Sequence, residues 1–153
     1  MLPHALLLLV HLLAAIVWIG GMTVMHFAVR PAAVARLEPP ARLGFMADAL
    51  GRFFNWVTAA IVLLFASGLG MALPAGMAQL HWSVHAMLGI GCVMTAIFGV
   101  IRLSAWPRLV RAVAERQWPA GAAALARIRV LVTVNLALGV LVIALVIVGP
   151  ALR

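Results

Sequence analysis

Three stretches of this chain carry no charged side chain: residues 1–29, 53–101 and 130–152. Between them lie two polar patches, residues 30–52 and 102–129, which hold ten of the eleven arginines and all three acids, Glu38, Asp48 and Glu115. A bilayer core needs roughly 20 apolar helical residues at about 1.5 Å each. The first and last stretches, of 29 and 23 residues, each suit one span. The middle stretch of 49 residues is too long for one and is broken at Leu73-Pro74-Ala75-Gly76, so it predicts two helices joined by a tight turn. None of the stretches alternates polar with apolar as a barrel strand would. The pattern predicts an all-α integral membrane protein, an antiparallel bundle of four transmembrane helices.

The predicted helices cover about residues 3–29, 41–73, 81–106 and 120–149, within a single four-helix domain spanning 1–153. Arg30-Pro31 is expected to stop the first, and Pro39-Pro40 to precede the second. Pro107 is expected to kink or end the third, and Trp118-Pro119 to precede the fourth. No second domain or internal repeat is evident.

Composition agrees: 67% hydrophobic and 9% charged residues lie outside the range of soluble domains. The formal charge of +8 would suit a nucleic-acid binder, but the arginines border apolar spans, where positive loops and anionic lipid account for them. No nucleic-acid partner is expected; the bilayer is. The positive-inside rule places both arginine-rich loops in the cytoplasm and both termini in the periplasm, in the inner membrane of a bacterium. Eleven arginines and no lysine fit a GC-rich genome. The N-terminal run lacks a positive n-region and exceeds the usual ~7–15-residue apolar core of a signal peptide, so it reads as a mature span. Cys92 is the only cysteine, which leaves no intrachain disulfide. Trp56, Trp82, Trp106 and Trp118 fall near span ends and read as interfacial anchors.

Polar groups inside a bilayer are costly, which makes them functional suspects. At 100° per residue, His4, His11, Trp18, Met22, Met25 and His26 share an arc of about 100° on the first helix. His81, His85 and Cys92 share a narrower arc on the third. The two helices run in the same direction, so His11 and His85 lie at similar depth in the outer half. Imidazole binds copper, zinc and haem iron, whereas thioether and thiolate favour Cu(I). Two chemistries follow. His11 and His85, supplemented by His4, His81, Met22, Met25, His26 and Cys92, would handle copper along a vertical seam. Alternatively, His11 and His85 would clamp haem b from opposite axial sides, in a redox protein exchanging electrons with quinone. A structural or assembly role without a ligand is the third reading. Against these, Met22 and Met25 also suit core packing, Met87 and Met94 point off the histidine arc, and His4 and His81 suit the interface. Asn55 and Asn135 are expected to make interhelical hydrogen bonds. Signatures of hydrolytic, phosphate-loop and dinucleotide chemistry are absent; an enzymatic role would be that of a haem-dependent membrane oxidoreductase.

The chain resembles the CopD family of copper-resistance membrane proteins. The resemblance is carried by His11-Leu12-Leu13-Ala14-Ala15, Trp18-Ile19-Gly20-Gly21-Met22, Arg30-Pro31-Ala32, Arg52-Phe53-Phe54, His85-Ala86-Met87, Trp118-Pro119-Ala120, Ile128-Arg129, Asn135-Leu136 and Leu138-Gly139. It implies an inner-membrane protein of copper uptake or tolerance, linked to a periplasmic copper carrier, with His11 and His85 as its functional positions. The single four-helix module is shorter than the larger CopD proteins, so a homodimer would be needed for complete transport. More distantly, the chain is similar to HemJ-type haem-associated proteins, which pair a histidine of the first helix with a lysine of the third. Without lysine, the protoporphyrinogen oxidation that this likeness implies is disfavoured here.

Overall fold

The computed structural model describes residues 2–151; Arg153 lies outside them. Four helices are long and apolar enough to cross a membrane: α1 (Leu2–Arg36), α2 (Pro39–Ala75), α3 (Trp82–Ala114) and α4 (Trp118–Val148). No strand occurs among the described residues. Successive helices run antiparallel, so the α1–α2 and α3–α4 connections share one end with the arginines. The α2–α3 turn and the outer tips of α1 and α4 share the other.

Neither Pro31 nor Pro107 ends its helix. α1 continues past Arg30-Pro31 to Arg36, and α3 past Pro107 to Ala114. Each proline follows a five-residue π-helical turn, Met25–Val29 in α1 and Ile101–Ala105 in α3. At the end of each turn the residue before proline donates its N–H five residues back, Arg30 to Met25 and Trp106 to Ile101. The wider turn shifts the carbonyl that the pyrrolidine ring would otherwise strike, so the helix absorbs the missing N–H. Pro74 falls in the last turn of α2, and Gly76, at φ 82°, ends that helix. α3 ends in a Schellman arrangement: Gln117 N–H reaches Ala112 O at 2.8 Å and Arg116 N–H reaches Val113 O at 3.2 Å. Arg116 takes the left-handed position, φ 55°, where glycine is usual.

Packing is tight toward the arginine end. Phe54, Val57, Ile101, Leu109 and Ile128 are almost fully buried there. Trp18, Phe98 and Phe54 form an edge-to-face chain, with ring centroids 6.5 and 5.8 Å apart. Toward the other end, α1 stays against α2 and α3 against α4, while the outer part of α3 packs closely only on α4. The bundle thus divides into two helix pairs above its aromatic layer. Leucines, valines and phenylalanines exposed on the outside, such as Leu9, Phe27, Val62 and Leu103, contact the bilayer.

The two asparagines make the interhelical bonds expected of them. Asn55 Oδ1 accepts from Arg102 at 3.1 Å, and Asn135 Nδ2 donates to Met94 O at 3.2 Å. Asn135 is 1% exposed, and its Oδ1 has no partner among the described residues. Replacing Asn135 by Leu should therefore change stability by less than about 1 kcal/mol. The lost hydrogen bond, about 0.6 kcal/mol between membrane helices, is offset by removing an unpaired buried acceptor. Asn135→Asp should destabilise strongly, because it adds an unpaired carboxylate; thermal melting in detergent compares the two variants.

Candidate metal-binding cavity

The gap between the helix pairs is a cavity of about 360 Å³. All four helices and the α2–α3 turn line it, each through some of the residues in segments 8–19, 64–72, 77–80, 84–94 and 142–147. It lies in the half of the bundle away from the arginine loops, and its wall is almost wholly apolar. Among the described residues, His11 and His85 are its only titratable lining residues, one from each helix pair. Four methionines, Met71, Met77, Met87 and Met94, line it as well. Trp18, carried on a third π turn, Ile16–Gly20, closes the deep end together with Met94.

His11 is held from α2. Its Nδ1 lies 3.1 Å from Leu64 O and 3.1 Å from Ser67 Oγ. A carbonyl can only accept, so Nδ1 carries the proton and the lone pair resides on Nε2. The Ser67 hydroxyl donates to the Leu63 carbonyl, which leaves its oxygen free to accept from the ring. Gly68 completes the seat: a Cβ there would come within 3.2 Å of His11 Cε1. Metal-binding histidines are characteristically oriented in this way, by donating the other ring N–H to a carbonyl or similar acceptor.

The remaining predicted positions disperse. His85 is exposed at the rim of the cavity. His81 caps α3, its Nδ1 accepting from Ser83 N–H at 3.3 Å and lying 2.9 Å from Ser83 Oγ. His4 is exposed near the tip of α1. Met22 is buried in the core below the cavity, with Met25 packed against the same cluster. His26 stacks edge-on against Phe27 at 4.7 Å. Cys92 is exposed and off the cavity wall. The arc that α3 turns inward runs through Met87, Gly91, Met94 and Phe98, opposite the one His85 and Cys92 share. No group of three or more His, Cys, Asp or Glu residues comes together to hold a metal among the described residues. Histidine and thioether donors from separate helices therefore form the available set.

Residues 47–148 match the family described as Copper resistance protein D, CopD. The chain belongs to the CopD family. No curated protein and no solved structure matches it significantly. The matched region takes in all of α3 and α4 and most of α2, and includes His85, Ser67, Gly68 and the four cavity methionines. His11 lies outside it, on α1. The chain is thus a multi-pass membrane protein of a family linked to copper resistance.

Sequence reasoning missed Ser67, Gly68, Met71 and Met77. Leu64, Gly68 and Met71 recur at helical spacing on one face of α2, which was the available signal. Glycines in transmembrane helices ordinarily let helices pack closely; the structure gives Gly68 the imidazole.

Proposed function

We propose that this CopD-family protein binds copper as cargo in the histidine cavity, as a step in copper uptake or tolerance. The observation that carries the reading is the hydrogen-bonded His11 ring. Its Nδ1–H is tied to α2, and its Nε2 is the ring nitrogen left for a ligand, in a cavity shared with His85 and four thioethers. Imidazole and thioether together suit Cu(I), and an apolar wall disfavours hard, strongly hydrated cations. His11 and His85 are the principal ligands, with Met94 at the floor and Met71, Met77 and Met87 around them. Met22, Met25 and His26 lie farther toward the arginine end, on the way inward; His4 and His81 lie nearer the opposite surface. With the arginine end in the cytoplasm of a bacterial inner membrane, the cavity faces the periplasm. A periplasmic copper carrier would deliver there, and a homodimer would extend the path.

The same two imidazoles on one apolar cavity also suit axial ligation of haem b, which would supply electron exchange with quinone. The cavity wall fits that group less well. No arginine lines it among the described residues to meet the two propionates, whereas its four methionines match a soft ion directly.

Purified protein loaded with Cu(I) under anaerobic reduction should retain copper in fixed stoichiometry. It should show no Soret band, and the His11→Ala/His85→Ala double variant should lose the metal. A Soret band that disappears in the double variant would establish haem instead. Equal copper retention in both proteins would remove the cavity as the site.

A further inference from the structure

We infer that the groove between α2 and α3 at the arginine end is a binding site for a phosphate anion, filled by the headgroup of an anionic phospholipid. Arg52 is the last charge before the 49-residue neutral stretch, and Arg102 the first after it. On antiparallel neighbours, both guanidinium groups therefore lie where hydrocarbon gives way to headgroups. They line one groove, with Asp48, Gly51, Asn55 and Trp106.

Arg102 is fixed in place from two sides. Its Nη2 donates to Asn55 Oδ1 at 3.1 Å, and its guanidinium carbon lies 4.4 Å from the centroid of the Trp106 ring. Trp106 is anchored in turn: its indole N–H donates to Ala47 O at 3.1 Å, and the ring fills the notch left by Gly51, where a Cβ would come within 2.9 Å. Arg102 and Trp106 sit on and just after the π turn Ile101–Ala105, the kind of local rewinding that recurs at functional sites. Among the described residues, one of the five N–H donors of Arg102 has a hydrogen-bond partner, which leaves most of a planar fork already ordered by Asn55 and Trp106. Guanidinium forks match phosphate oxygens in pairs, and basic pockets between transmembrane helices take anionic headgroups. One carboxylate, Asp48, lines the groove with the two guanidinium groups; it opposes an anion and tempers the site.

Retention of phosphatidylglycerol by protein released from vesicles of phosphatidylcholine and phosphatidylglycerol, counted by native mass spectrometry, tests this site. Wild-type protein should keep one phosphatidylglycerol in preference to phosphatidylcholine. Arg102→Gln should reduce retention about tenfold, the equivalent of one charge-assisted hydrogen bond. Arg102→Lys should retain part of it, and Asp48→Asn should raise it. Arg108→Gln, an exposed arginine outside the groove, should leave it unchanged. Equal losses in Arg102→Gln and Arg108→Gln, or no gain in Asp48→Asn, would overturn the site. Excess inorganic phosphate separates the two sources of the anion: the lipid should stay bound, and its displacement would overturn the headgroup assignment.

Discussion

Exchanging His11 for Ala should weaken Cu(I) binding by more than about a hundredfold, because loss of an outer hydrogen-bonding partner alone typically costs about 10–100-fold. The neighbours of the ring should give a graded series. Ser67→Ala removes one of two acceptors for Nδ1–H and leaves Leu64 O, so a loss near tenfold is expected. Gly68→Ala places a methyl group 3.2 Å from Cε1 and forces the ring to shift by a few tenths of an ångström, which should fall between the two. Gly89→Ala, with no neighbour within 4 Å, should leave affinity unchanged. Competition with a Cu(I) chelator reads all four. An unchanged affinity in Ser67→Ala and Gly68→Ala alongside a large loss in His11→Ala would mean that the seat on α2 does not orient the ligand.

The second large effect concerns stability. A Cβ on Gly21 would run into the Phe53 ring, so α1 and α2 approach there only because position 21 is glycine. Gly21→Ala should cost about 2 kcal/mol through overpacking, despite the better helix propensity of alanine. Its neighbour is the control: at Gly20 the nearest atom is 3.9 Å away, and Gly20→Ala should be neutral or stabilising. Phe53→Leu in the Gly21→Ala background should recover much of the loss. Thermal unfolding in detergent compares the four proteins, and identical melting of Gly20→Ala and Gly21→Ala would contradict the close approach.

The positions of the four spans were legible because charge is so costly in hydrocarbon that its absence over 29, 49 and 23 residues marks the spans directly. Proline was misleading. Arg30-Pro31 looks like a stop and Pro107 like a stop or a kink, yet both helices pass through them on π turns whose i to i−5 bonds leave no mark in composition. The candidate site was partly legible. His11 and His85 stood out as lone imidazoles in apolar runs, and both line the cavity. Cys92 did not follow them, although it shares the His85 arc. In water, the apolar face of a helix announces its inward side. In lipid both faces are apolar, so periodicity could not tell that α3 turns Met87 and Met94 inward and Cys92 outward.

The sequence by itself determined the class, the number of spans, their antiparallel order and the two intramembrane histidines that line the cavity, since each follows from the cost of placing polar groups in a bilayer. Only the tertiary structure decided which faces meet, where the helix pairs separate to leave a cavity, and that Leu64, Ser67 and Gly68 hold the His11 ring. Those depend on side-chain shape and close packing between residues some 50 positions apart, which no local pattern encodes.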